Sequence, residues 1–411
     1  MAEYVVRMAD GAIRSLLDSL PALLIVGPRA TGKTTTARRH AASMVRLDRP
    51  AEAVAFRADP DAALGRLAEP ALLDEWQSVP EVLGAVKRAV DDDPHPGRFL
   101  LTGSVRADLT ADAWPGTGRL VRVPMLGLTM RERLGRPDGP GFVERLAAGP
   151  PEALTTPGEL PDLAGYLELA LAGGFPDAVV GPAGAERRLW LESYLDQLLT
   201  RDAGGLSRRD PARLRRYFEA LALNSAGTAD HKTLYDAAGI DRKTADAYEA
   251  LLVNLLVLEL VPAWYENRLS RLVKAPKRYV TDASLIGAAL RIDVTGVMRD
   301  GDLLGRVLDT FVVAQLRPEV ALSPGRPRLY HVREKDGRRE IDLLAEIDAR
   351  QVVAFEVKAT ASPGRDDGRH LAWLRDQLGE RFVAGAVLHT GPGRLALGPR
   401  IWALPIAAIW G

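Results

Sequence analysis

The segment 22–34 constrains the chain more than any other: Ala-Leu-Leu-Ile-Val, then Gly27-Pro28-Arg29-Ala30-Thr31-Gly32-Lys33-Thr34. Five consecutive apolar residues ending on a glycine predict a strand buried on both faces, the pattern of a parallel sheet. The eight residues that follow fit G-x-x-x-x-G-K-[ST], and helix formers continue through Ala37-Arg38-Arg39. Strand, glycine loop and helix in that order cradle phosphate, because the curled loop converges its backbone N–H groups and the helix presents its positive end. The segment Gly27 to Thr35 is therefore the predicted nucleotide site. Lys33 is expected to reach the β- and γ-phosphates, and the Thr34 hydroxyl to ligate Mg²⁺. The expected ligand is a purine nucleoside triphosphate, ATP with Mg²⁺.

A second apolar run, Leu72-Leu73, ends in Asp74-Glu75. At the end of a strand, Asp74 is suited to the Mg²⁺ shell and Glu75 to orienting and polarising an attacking water. Phe99-Leu100-Leu101-Thr102-Gly103-Ser104 reads as the next strand, with polar residues where such sheets place ligands. Thr102 or Ser104 is the candidate γ-phosphate sensor or water positioner; a plain turn accounts for the same residues. Arg119, in Gly116-Thr117-Gly118-Arg119, is the candidate transition-state cation, in cis or in trans.

Together these runs resemble the bacterial and archaeal AAA-type ATPases. The carriers are Gly27–Thr34, Leu-Leu-Asp-Glu-Trp-Gln-Ser-Val-Pro at 72–80, Leu-Leu-Thr-Gly-Ser at 100–104 and Gly-Arg-Leu at 118–120. The resemblance extends to members that carry a C-terminal domain of unknown function, through Gly173-Gly174-Phe175-Pro176, Tyr194 with Arg201-Asp202, and Lys274-Ala275-Pro276-Lys277-Arg278-Tyr279 with Asp282. It implies an ATPase core, a helical region of winged-helix character and a terminal nuclease-like α/β domain.

At 411 residues, several domains are expected. The boundaries drawn here are an α/β parallel-sheet ATPase domain at 1–140, a Gly/Pro-rich linker and helical region at 141–205, a helical winged-helix-like domain at 206–282, and a C-terminal α/β restriction-nuclease-like domain at 283–411. Formal net charge is zero, so attraction to nucleic acid must come from a local patch. Cysteine is absent, which excludes disulfides, thiol catalysis and Cys-based zinc sites. The N-terminus lacks a signal-peptide pattern, and Leu251–Val261 is too short to span a bilayer, so no membrane partner and a cytoplasmic location are expected. The six histidines lack metal-ligand spacing and read as surface or core residues.

In the middle region, helices are expected at Leu214–Leu223, Lys232–Ala238 and Lys243–Leu260. The Gly239-Ile240-Asp241 break resembles a helix-turn-helix turn, with Asp241 as N-cap. Residues 264–278 carry five Lys/Arg against one acidic residue beside Trp264 and Tyr265. That composition suits a basic hairpin wing on phosphates. Residues 206–280 hold 13 Lys/Arg against nine Asp/Glu. DNA is the expected partner there; a helical connector with a solvated basic face is the alternative.

In the last third, a helix is expected around Gly305–Leu316 and strands near Arg328–Val332, Glu340–Glu346 and Val352–Lys358. Glu356 and Lys358, two apart on a strand, share one face, and Asp342 on the preceding strand can join them. Two carboxylates can hold Mg²⁺ or Mn²⁺ while a lysine positions the attacking water. The pattern looks like the D…E-x-K core of the PD-(D/E)XK nucleases. By that resemblance Asp309 takes the place of an upstream Glu, so the implied metal set is Asp309, Asp342 and Glu356 and the implied catalytic residues are Asp342, Glu356 and Lys358. The sequence departs from the pattern at Ile341, where Pro is usual, and at Asp309, shorter than Glu. Three functions stay open: a DNA-directed ATPase with a nuclease centre, a nucleotide-switched interaction protein whose nuclease-like domain cleaves nothing, and a ring-forming remodelling ATPase. A homo-oligomer is compatible with each.

Overall fold

In a computed structural model of the chain, the described residues are 4–103, 118–149, 154–202, 210–265, 274–334, 338–348 and 350–411. Contacts divide the chain into two units. The first runs to Leu128 and includes Asn254–Leu256; the second starts at Thr129.

The first unit is built on five strands, β1 (Ala22–Val26), β2 (Ser43–Arg46), β3 (Ala71–Asp74), β4 (Phe99–Gly103) and β5 (Val121–Pro124), in the order β2-β3-β4-β1-β5. Every pairing is parallel. The apolar runs are buried on both faces, as parallel strands covered by helices must be; β3 and β4 are buried at every position. One core gathers Leu24, Leu73 and Leu101 with Trp76, Phe56 and the Val82, Leu83 and Val86 face of helix Val82–Asp92. Full burial of each large side chain contributes about 1.5–3 kcal/mol. Parallel register brings Val26, Asp74 and Gly103 to one edge of the sheet. That is the carboxyl edge, where open α/β sheets bind ligands.

The second unit begins with helices, among them Leu163–Ala172, Gly184–Gln197, Pro211–Leu223, His231–Ala237 and Arg242–Asn254. The last of these corrects the expectation of a helix running to Leu260. It stops at Asn254, Leu256 takes a left-handed conformation with φ 60°, and Leu258–Val261 becomes strand β6. β6 pairs antiparallel with β7 (Lys277–Val280), matching Leu258 to Val280 and Val261 to Lys277. A short apolar run has no periodicity to separate helix from strand, and the partner that decides it lies far along the chain.

Helix Gly301–Leu322 and a six-stranded mixed sheet complete this unit. The strands are β8 (Arg328–Arg333), β9 (Glu340–Glu346), β10 (Val352–Lys358), β11 (Phe382–His389), β12 (Leu395–Gly398) and β13 (Ile401–Pro405), in the order β12-β13-β11-β10-β9-β8. β10 runs parallel to β11 and antiparallel to β9. Both sheets confirm the expected α/β class.

The Gly173-Gly174 pair has a packing reason. Gly173 sits at φ 73°, and a Cβ there would lie 2.4 Å from Ser284 Oγ and 2.5 Å from Asp282 Oδ1. The Gly174 N–H donates to buried Asp282 Oδ2 at 2.8 Å. Gly173→Ala is expected to destabilise this unit by about 1–3 kcal/mol from backbone strain, more if Ser284 cannot yield; denaturant unfolding followed by far-UV circular dichroism checks it.

Candidate nucleotide site and C-terminal acidic centre

The phosphate loop leaves β1 and enters helix Lys33–Arg38 through Gly32. Gly27 has no room for a side chain, since a Cβ would fall 1.8 Å from Met125 O. Inside the loop Thr31 is fully buried, its Oγ1 donating to Pro28 O at 2.9 Å, and Arg7 donates to Thr31 O at 2.8 Å from beneath. The Lys33 ammonium folds back over the loop and donates to Gly27 O at 3.0 Å and Pro28 O at 2.6 Å. Burial lowers its pKa to about 8, against the opposing pull of Glu75. Thr34 is half-buried, while Arg29 and Thr35 are exposed on the outer face of the loop and helix.

Asp74 ties the two strand ends together. Its Oδ1 accepts from Thr34 Oγ1 at 2.6 Å and from Thr102 Oγ1 at 2.5 Å, and it is 1% exposed. Thr34 and Asp74 are thus in mutual contact beside Lys33, and one hydroxyl with one carboxylate is the protein share Mg²⁺ takes when phosphates and water complete its octahedron. Residues and group fit. Glu75 follows in the left-handed region, φ 54° and ψ 49°, where a non-glycine residue is uncommon. Gln77 Nε2 donates to Glu75 Oε2, a contact the sequence reading missed. Ser104 lies outside the described residues.

Arg119 does not join this site within its own chain. It precedes β5, whose Val121 pairs with Leu23 near the start of β1. The phosphate loop leaves the other end of β1, roughly 15 Å away at about 3.3 Å per residue. Arg119 pairs there with Asp91 at 2.6 Å.

In the second unit, β9 and β10 present the predicted acidic residues. Glu356 and Lys358 do share a face, with Lys358 Nζ 3.0 Å from Glu356 Oε2. Glu356 is buried and its Oε1 lacks a hydrogen-bond partner, His370 Nδ1 lying 3.5 Å from it. Burial pushes the Glu356 carboxyl up. Asp342 Oδ2 accepts from the Val357 N–H at 2.9 Å. Between Asp309 and Asp342 lies a residue the sequence reading did not place here. Lys277 Nζ reaches Asp309 Oδ2 at 2.8 Å and Asp342 Oδ1 at 3.0 Å, with 1% exposure. Burial works against its charge, yet the two carboxylates hold its pKa well above the ordinary lysine value. Burial raises Asp309 to about 6; Asp342 stays below the ordinary range, because Lys277 and the Val357 N–H outweigh its burial. Among the described residues no three His, Asp or Glu side chains converge to hold a metal. In this structure Asp309, Asp342 and Glu356 are not gathered into one such group.

The sequence carries no local signal for Lys277: Lys-Arg-Tyr-Val shows no polar–apolar alternation, and only the fold buries all four residues. Arg278 is consumed as well, paired with Glu249 at 2.5 Å. Two of the five basic residues expected on a wing thus face inward. Residues 266–273, with Arg268 and Arg271, lie outside the described residues. Asp241 does cap helix Arg242–Asn254, accepting from Thr244 N at 3.0 Å and Thr244 Oγ1 at 2.7 Å. No helix among the described residues is long and apolar enough to cross a membrane.

Comparison with known proteins agrees with the first site. Residues 19–134 match the AAA domain family, 163–295 a domain of unknown function (DUF8612) and 304–409 another (DUF4143). Uncharacterised proteins of Mycobacterium tuberculosis and Mycobacterium bovis are each 28% identical over 405 residues, 97% of this chain and 83% of theirs. A Walker-type ATPase of Pyrococcus abyssi aligns at TM-score 0.42 and 15% identity, covering 69% of this chain and 94% of its own. The Aeropyrum pernix Orc1 protein in complex with DNA aligns at TM-score 0.25 and 15% identity, covering 72% and 94%.

Proposed function

We propose that this chain, whose residues 19–134 match the AAA domain family and 304–409 a domain of unknown function (DUF4143), hydrolyses ATP with Mg²⁺ and that this hydrolysis is directed at DNA. The observation that carries the ATPase part is the Thr34–Asp74–Thr102 contact beside the buried Lys33 ammonium. Lys33 exchanges its two loop carbonyls for β- and γ-phosphate oxygens, and the backbone N–H groups of 27–34 complete the cradle. Thr34 and Asp74 would hold Mg²⁺ with the nucleotide, and the ion would supply charge neutralisation at the phosphates. Thr102 keeps Asp74 turned toward Thr34. Glu75, steadied by Gln77, orients the attacking water and accepts its proton. Arg119, at the far edge of the sheet, would act only on a neighbouring copy.

Support for DNA comes from element order: three helices, Pro211–Leu223, His231–Ala237 and Arg242–Asn254, then the β6–β7 ribbon, the sequence of parts in a winged helix. Arg242 and Lys243 open the third helix on its exposed side. Such contacts to phosphate weaken steeply with salt.

For the C-terminal domain, a nuclease centre of Asp342, Glu356 and Lys358 competes with a domain that cleaves nothing and relays nucleotide state to a partner. The Lys277 bridge favours the second. One paired assay tests all of this: ATP hydrolysis with and without single- and double-stranded DNA, and DNA integrity in the same tubes. We expect DNA-stimulated turnover that Lys33→Ala abolishes, and intact DNA. Turnover indifferent to DNA at low salt overturns the DNA reading, and cleavage lost in Glu356→Ala/Lys358→Ala restores the nuclease.

A further inference from the structure

We propose that Lys277 is the resident cation of the C-terminal acidic centre, holding by its ammonium the place between Asp309 and Asp342 where a divalent metal would otherwise sit. The proposal deepens the non-cleaving reading above. Its test reads metal binding, not hydrolysis or cleavage, so either can fail alone.

A second cation would have to compete for carboxylate oxygens that donors of this chain already engage. Asp309 Oδ2 takes Lys277 at 2.8 Å and Oδ1 takes the Tyr279 hydroxyl at 3.2 Å. Asp342 Oδ1 takes Lys277 at 3.0 Å and Oδ2 takes the Val357 N–H at 2.9 Å. Every oxygen of the pair is engaged by a donor of this chain. A divalent ion needs several oxygens at about 2.0–2.6 Å, and must displace these donors to obtain them. Displacement is opposed by the anchoring of Lys277. It lies on β7, whose four residues are all buried, and its side chain has no solvent into which to swing. An ammonium expelled from two carboxylates into this interior would lose both its solvation and its partners. Glu356, the remaining carboxylate, already shares Oε2 with Lys358, and its one unpartnered oxygen cannot by itself retain Mg²⁺ or Mn²⁺.

Conversely, removing the ammonium leaves the buried Asp309 and half-buried Asp342 carboxylates facing each other, a strong cation site. The experiment measures bound Mn²⁺ on the nucleotide-free full chain from the electron paramagnetic resonance of the free ion. Wild type is expected to bind no more Mn²⁺ than Asp342→Asn. Lys277→Gln is expected to gain one Mn²⁺ per chain, with a rise in Tm on Mn²⁺ addition, and Lys277→Gln/Asp342→Asn to lose both. A Mn²⁺ bound by wild type and lost in Asp342→Asn overturns the proposal, as does a folded Lys277→Gln indifferent to Mn²⁺. If Lys277→Gln does not fold, the wild-type comparison still decides.

Discussion

Replacing Glu75 by glutamine is expected to lower ATP turnover about 10²–10⁴-fold while nucleotide affinity changes little. Three features of the first unit converge on this outcome. Glu75 is the residue directly after Asp74 at the carboxyl end of β3, so it stands beside the phosphate loop without belonging to it. Its backbone is held in the left-handed region, φ 54°, a conformation that costs a non-glycine residue about 1–3 kcal/mol and persists only where the surroundings impose it. Gln77 then bonds one carboxylate oxygen, which leaves the other to orient water. Glutamine keeps the size and most of the hydrogen bonding but cannot accept the water proton, whereas the phosphate contacts of Lys33 and the loop N–H groups are untouched. Single-turnover hydrolysis and a nucleotide titration on the same preparation separate the two quantities. A loss of turnover smaller than about tenfold would assign proton acceptance elsewhere.

Legibility followed the range of the interactions. The nucleotide site was readable because its parts are local: strand, loop and helix adjoin in residues 22–38, and Asp74 needs only parallel pairing through β4 to meet Thr34. The β9 and β10 strands were readable for the same reason, since alternation within seven residues sets which side chains share a face. Lys277 was not, because its role depends on bringing residues 277, 309 and 342 together from a strand, a helix and another strand. Without that convergence a Lys-Arg pair reads as a solvent-facing basic patch. The end of helix Arg242–Asn254 was missed on similar grounds, β6 being defined by its partner β7. Gln77 was written beside Glu75 all along, but only the left-handed turn at Glu75 folds it back.

Arg131→Leu is expected to cost the second unit about 3–5 kcal/mol at neutral pH, with a deficit that shrinks on acidification. Arg131 and Glu319 form an ion pair at 2.9 Å, with side-chain exposures of 7% and 2%. Glu319 also accepts from the Phe142 N–H at 2.7 Å, while Arg131 donates to Asp138 O at 2.7 Å and Pro140 O at 3.2 Å. Removing the guanidinium leaves a buried carboxylate with one neutral donor and frees the carbonyls of the exposed residues Asp138 and Pro140. Burial already raises the Glu319 carboxyl above its ordinary value despite Arg131. Without Arg131 the folded value climbs further above the unfolded one. A folded chain that binds the proton more tightly gains stability as pH falls, so the penalty is largest above the folded pKa and is relieved toward the unfolded pKa near 4. Denaturant unfolding of both proteins at pH 7 and pH 5 reads this directly. Arg131→Met/Glu319→Leu removes the charge problem and should recover most of the loss, short of the about 1–3 kcal/mol left by the unpaired Phe142 N–H. An equal deficit at both pH values would mean that Arg131 acts through its carbonyl contacts and packing rather than through charge.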